Sequence, residues 1–277
     1  MKLSVMLFPF HGLISNGSLA PATLVEEMTQ AGITAIEPML SNLDAAPEPW
    51  QEVLRLAKAA GMTWSCLDIG ANLIGNSEED RKAALETVKR GLALCAEWDC
   101  PVALIPGTRP SEGMSNEEGR KLYSAGLRQC ADMAKEYGII ATIEDFGVYP
   151  AFACRSDHVL EVVTGAGPDV KVTYDNGNFL LSDETAMHAL KATRDLTVHV
   201  HIKDFKVDPT GEAPLKGLSN KRWIGAEIGA GEGEVAEVVA SLKHSGYDGW
   251  LSLEVNAPPV EMMRQGAQFV QQAWGQA

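Results

Sequence analysis

Four residues in the second half of the chain are of the types, and at the spacing, that hold a cation and move protons: Glu144, Asp175, His201 and Glu254. Each stands near the end of a short run in which apolar and polar side chains alternate, the period of a strand with one apolar and one polar face. Ile139, Ala141 and Ile143 oppose Thr142 and Glu144, and Val172 and Tyr174 oppose Thr173 and Asp175. Val198, Val200 and Ile202 oppose His199, His201 and Lys203, while Leu251, Leu253 and Val255 oppose Ser252 and Glu254. If the polar faces line a closed barrel, all four residues reach one mouth. Three carboxylates converging in a partly buried space need a counter-charge, because burial and mutual repulsion both penalise their ionised forms. A divalent cation supplies it. Three oxygen donors and one imidazole suit Mn2+, Mg2+, Co2+ or Zn2+, and the lack of a thiolate argues against a structural zinc site. The competing reading, polar strand ends that cap a barrel by mutual hydrogen bonds, explains any one of the four better than it explains the set.

The elements that must position these residues follow from the rest of the pattern. Short apolar runs at 3–10, 33–37, 62–69, 102–105, 139–145, 170–175, 196–205 and 249–255 read as strands. Amphipathic segments at 19–31, 49–60, 77–98, 115–137, 156–164, 182–193, 234–245 and 258–274 read as helices. Ser18, Ser77 and Ser115 are the expected N-caps, with capping-box spacing from Ser115 to Glu118, and Gly32, Gly61 and Gly138 the expected stops. Residues 204–233 form the one long irregular segment. Eight strands, each followed by a helix, predict an α/β fold, a single (β/α)8 TIM barrel domain over residues 1–277. An open doubly wound sheet is disfavoured because the first turn, HGLISNGS, has no GxGxxG fingerprint.

Lys and Arg total 23 against 37 Asp and Glu, for a net charge of -14, and no basic cluster interrupts the balance. Nucleic acid and anionic membranes are therefore not expected partners. The 5 cysteines form no CxxC pair and read as reduced thiols of a cytoplasmic protein. The apolar start of the chain contains Pro9 and no clear cleavage site, so it reads as a strand and not a signal peptide.

TIEDF at 142–146, TYDNGN at 173–178, HVHIKD at 199–204, GEGEV at 231–235 and LSLEV at 251–255 resemble the xylose-isomerase-like barrel superfamily. The branch they are most similar to holds sugar isomerases and epimerases typified by ketose 3-epimerases, hydroxypyruvate isomerase and inosose dehydratase. The resemblance implies one divalent metal ion, commonly manganese, bound by Glu144, Asp175, His201 and Glu254. It also implies that the two glutamates double as acid and base on a small sugar or polyol substrate. A metal-chelated carbonyl would acidify the neighbouring C–H, one glutamate would take that proton and the other would return it through an enediolate. Two other readings remain open: a dehydratase of an inosose or dehydroshikimate-like ring, and a non-catalytic ligand-binding barrel.

The departures from that pattern bear on substrate. Asn178 stands where ketose epimerases carry a His, and Pro150 and Val207 lie near the positions of a further Glu and Arg, so the usual ketohexose contacts are not reproduced. With 6 histidines in all, the chain does not match the histidine-rich trinuclear nucleases of the superfamily. Glu37, His11, Asn178, Lys203, Arg222 and Trp223 are the expected substrate-facing residues, the last two on a loop long enough to close over the site. His199 is expected one layer deeper as a satisfied core residue, and Trp64 and Cys66 as barrel filling; Asp68, ending the third strand, is left open. Homo-oligomerisation is left open too.

Overall fold

The structure, a computed structural model, describes every residue except position 109. Its barrel wall is built from β1 (Lys2–Met6), β2 (Ala35–Glu37), β3 (Thr63–Trp64), β4 (Leu67–Asp68), β5 (Val102–Leu104), β6 (Ile140–Glu144), β7 (Val170–Asp175) and β8 (Thr197–Ile202). Three short strands follow, β9 (Phe205–Val207), β10 (Leu215–Lys216) and β11 (Arg222–Gly225), and β12 (Trp250–Leu253) returns to the wall. The wall is a 9-stranded parallel sheet in the order β3-β2-β1-β12-β8-β7-β6-β5-β4. Its two ends belong to one stretch of chain. Between them the Ser65 amide donates to Ile36 O at 3.0 Å, and just past β4 the Ile69 amide donates to Leu104 O at 2.8 Å. With β3 and β4 taken as one broken strand, the wall is a closed eight-stranded barrel, as the sequence predicts.

The alternating pattern sorts the side chains to the two faces of this wall. Ala141, Ile143, Val172, Tyr174, Val200, Ile202, Leu251 and Leu253 point outward into the core between barrel and helices. The interior side carries Thr142, Thr173, His199, His201 and Ser252, all buried, with Thr142 and Thr173 joined through their hydroxyls at 2.7 Å. Cys66, Val102 and Leu104 form a small apolar cluster inside the barrel. The longest helices, Glu78–Glu97 and Asn116–Glu136, both open on capping boxes, Ser77 with Asp80 and Ser115 with Glu118.

Four expectations give way. The first strand stops at Met6, because Pro9 cannot donate to a ladder, and Phe8–Phe10 and His11–Ser15 turn helical instead. The next helix starts at Pro21 with Ala20, not Ser18, at its N-cap; proline is favoured in the first turn because its missing N–H is unpaired there anyway. The helix expected from 182 begins at Ala186 behind Thr185, whose hydroxyl caps it, while Asn178–Ser182 is a 3-10 turn. The segment 204–233 is not irregular throughout: β10, β11 and β9 form an antiparallel sheet in that order. Among the described residues, no helix is long and apolar enough to cross a membrane.

Candidate metal centre at the carboxyl end of the barrel

Glu144 and Asp175 are the last residues of β6 and β7, His201 is the penultimate residue of β8, and Glu254 directly follows β12. Parallel pairing sets Asp175 beside His201 and His201 beside Ser252. One donor atom from each of Glu144, Asp175, His201 and Glu254 lies within 4.8 Å of the others. Nδ1 of His201 is 2.7 Å from Glu144 Oε1 and 3.8 Å from Glu254 Oε2. Asp175 spends one oxygen on its own turn: Oδ1 accepts from the amides of Gly177 at 2.8 Å and Asn178 at 3.0 Å. Its Oδ2 has no hydrogen-bond partner among the described residues.

The cluster fits a divalent cation. Its donors are three hard oxygens and a nitrogen, one buried carboxylate oxygen lacks a hydrogen bond, and a cation of the protein's own already stands among them. The Lys203 ammonium pairs with Glu254, lies 3.4 Å from Asp175 Oδ2 and donates to Asn178 Oδ1 at 3.3 Å. Burial alone would lower the Lys203 pKa, but Asp175 and Glu254 hold it above its ordinary value. Burial also pushes the Glu254 carboxyl up to about 8 despite Lys203, because Asp175 and Glu144 crowd the same space.

A second polar layer lies directly beneath. The Glu37 carboxylate is 2.8 Å from His201 Nε2 through Oε1 and 2.9 Å from His199 Nε2 through Oε2. Burial would raise Glu37, yet the charges and hydrogen bonds of the two histidines hold it well below the usual carboxylate range. His201 is shifted the other way: burial would lower it, but Glu37 and Glu144 hold it well above its ordinary value. Burial and the neighbouring Glu37 push the Asp68 carboxyl well above its ordinary value.

The structure separates the expected substrate-facing residues. Lys203 and Asn178 border the carboxylate cluster. Glu37 is 0% exposed, with an imidazole against each oxygen. His199 is buried as expected but only half satisfied, since its Nδ1 has no partner among the described residues. His11 accepts from the Trp50 indole N–H at 3.0 Å, the two rings lying nearly parallel. Arg222 donates to Pro214 O at 3.3 Å, within its own small sheet. Trp223 packs with Leu180, Leu181 and Phe205 and is 3% exposed, so it is a core residue of the excursion and not a free closing side chain.

Three buried residues escaped the sequence reading. Asp145 accepts from the Asp175 amide at 2.9 Å. Asn176 accepts from the Lys203 amide at 2.9 Å and donates to Gly233 O at 2.7 Å. Asp204 accepts from the amides of Gly229, Gly231 and Gly233 at 3.0, 2.9 and 2.8 Å. A Cβ on Gly231 would run into the Asp204 carboxylate, so the alternate glycines of GAGEG were the legible sign of an anion beneath them.

A parallel barrel with a carboxylate and imidazole cluster at the carboxyl ends of its strands defines the class, in which sites are built at that end. The comparisons agree. Residues 25–273 match the xylose isomerase-like TIM barrel family, and the chain belongs to it. Among curated relatives it is 25% identical over 169 residues to an inosose dehydratase of Geobacillus thermodenitrificans, covering 57% of this chain and 56% of that protein. An inosose dehydratase of Lacticaseibacillus casei is 26% identical over 153 residues, 53% of this chain and 50% of the relative. The matched segments thus span little more than half the length of these relatives. The fold is shared with a probable 3-DHS dehydratase, AsbF, from Bacillus anthracis (TM-score 0.74, 16% identity, 98% of this chain and 99% of that one). It is shared equally with a D-tagatose 3-epimerase-like protein (TM-score 0.74, 17% identity, 100% and 99%).

Proposed function

We propose that this chain is a divalent-metal-dependent isomerase or epimerase of a small keto-sugar or related polyol. In this reading Glu144, Asp175, His201 and Glu254 hold the ion, with Mn2+ the preferred metal. The observation that carries it is the gathering of those four donors, from neighbouring strands, within 4.8 Å. Family membership and the epimerase-like and dehydratase folds around it support the same chemistry.

The bound ion would supply Lewis acidity toward a carbonyl and its adjacent hydroxyl, an effect worth several kcal/mol. The remaining work falls to the protein. One of the two glutamates takes the proton from the carbon beside the carbonyl, and the other delivers it to the opposite face or to a neighbouring atom. Lys203 holds the Glu254 carboxylate by an ion pair and keeps it oriented. Asn178, whose backbone amide is fixed to Asp175 and whose side-chain oxygen accepts from Lys203, offers its side-chain NH2 to substrate hydroxyls. The test is a screen of ketoses and inososes with added Mn2+ in deuterated water. Incorporation of deuterium at the carbon beside the carbonyl, lost on metal removal, is the expected result; no exchange with any of them rejects the reading.

A dehydratase is the second reading, favoured by the inosose dehydratases among the relatives. It shares the first proton abstraction and differs in expelling a hydroxyl, so a product lighter by one water identifies it.

A further inference from the structure

His201 could offer either ring nitrogen to an ion, and something must decide which. We propose that Glu37 is a positioning residue: its carboxylate takes the Nε2–H of His201 and thereby commits Nδ1 to the ion bound by Glu144, Asp175 and Glu254. This deepens, and rests on, the metal-dependent reading above.

The geometry for it is one-sided. Nε2 faces Glu37 Oε1 at 2.8 Å, whereas Nδ1 faces the mouth, 2.7 Å from Glu144 and 3.8 Å from Glu254. Glu37, His199 and His201 are all 0% exposed, leaving no surface from which bulk water could replace the bond. Glu37 is itself fixed from several sides. His199, two residues before His201 on the same face of β8, holds the second oxygen at 2.9 Å. The Cys66 thiol and the Asp68 carboxyl close on the same carboxylate, with donor atoms of all three residues within 4.8 Å. A carboxylate accepts about four hydrogen bonds, and the two imidazoles supply two of them, one on each oxygen. A histidine whose second nitrogen donates to a carboxylate is the usual way a metal ligand is oriented, and losing the carboxylate weakens metal binding about 10–100-fold.

The cluster Glu37, Cys66 and Asp68 also has the composition of a second cation site, and both Asp68 oxygens lack partners among the described residues. The two imidazoles already held by Glu37 favour the simpler account, in which Glu37 serves His201 and no second ion is bound. The experiment decides between them.

The full chain is titrated with Mn2+, free Mn2+ being followed by electron paramagnetic resonance, beside Glu37→Gln and Asp68→Asn. Glutamine has an acceptor at one end atom and a donor at the other, so it cannot take an N–H from each imidazole as the carboxylate can. The expected result is one ion per chain in the wild type, binding weakened about 10–100-fold in Glu37→Gln, and wild-type affinity and stoichiometry in Asp68→Asn, which leaves Glu37 and the four donors in place. Should Glu37→Gln fail to fold, the 15N spectrum of the Zn2+-loaded wild type tests the same point. Retention of the His201 Nε2–H with a metal-shifted Nδ1 supports the proposal, and a ligated Nε2 overturns it. Unchanged affinity in a folded Glu37→Gln also overturns it, as do two ions per chain that fall to one in Asp68→Asn. A wild type that takes up no ion overturns the preceding reading as well, so the two failures are distinct.

Discussion

The two sides of the barrel interior do different work. Strands β6, β7, β8 and β12 are neighbours in the sheet and deliver Glu144, Asp175, His201 and Glu254 at their ends. The opposite side, β2, β4 and β5, delivers Glu37 and Asp68 together with Cys66, Val102 and Leu104, all buried. One side presents donors to the mouth. On the other, the Glu37 carboxylate meets the underside of His201 and does not reach the mouth. Carboxylates of the same residue type thus take different roles because of what lies against them.

That division can be broken experimentally. The largest effect is expected from Glu144→Gln or Glu254→Gln, each of which should lower the rate of substrate proton exchange by ~10²–10⁴-fold or more; a retained rate in either would return that residue to a purely structural role. Next comes Lys203→Met. Removing one partner of a buried ion pair costs about 3–5 kcal/mol, and the cost should fall on the metal-free chain. Added Mn2+ should therefore raise the Tm of Lys203→Met by more than it raises that of the wild type, and an equal rise would detach Lys203 from the cluster.

The pH response is smaller. Glu254 has its folded pKa raised to about 8 from an ordinary 4.5, so its contribution to stability is complete below about 4.5 and is lost as pH rises through about 8. Asp68 and Asp145, both raised, act in the same direction. The Tm of the metal-free chain should fall across that window, and Mn2+ should flatten the fall; a metal-free Tm that rises over it would contradict the assignment. The smallest effect is expected away from both sides of the interior. Ser115→Ala removes one capping box at a cost of about 1 kcal/mol and should leave Mn2+ affinity untouched.

Legibility in the sequence follows the same division. The donor side was readable because its strands run five residues or so with clean alternation, which fixes the inward face and makes the terminal residue unambiguous. Glu37 ends a strand of 3 residues, too short for alternation to say whether its carboxylate meets substrate or another side chain. His199 and His201 share a face, so pattern alone ranks them by depth, but their common partner lies 162 and 164 residues away in the chain. Arg222 and Trp223 misled for a different reason. A long Gly- and Pro-rich segment reads as a free loop, and nothing local announces that β9, β10 and β11 will pair and bury the indole.

The Asp204 carboxylate has one more consequence. It stands at the entry of the excursion and grips three amides at its exit, Gly229, Gly231 and Gly233. The two ends are thereby tied together next to Lys203, and the small sheet between them hangs from that knot. Changes confined to the exposed turn at 209–212 would leave that knot, and the lysine beside it, in place. The excursion is in this sense tethered at one carboxylate, and its exposed turn, which takes no part in that tether, is the part most tolerant of insertion.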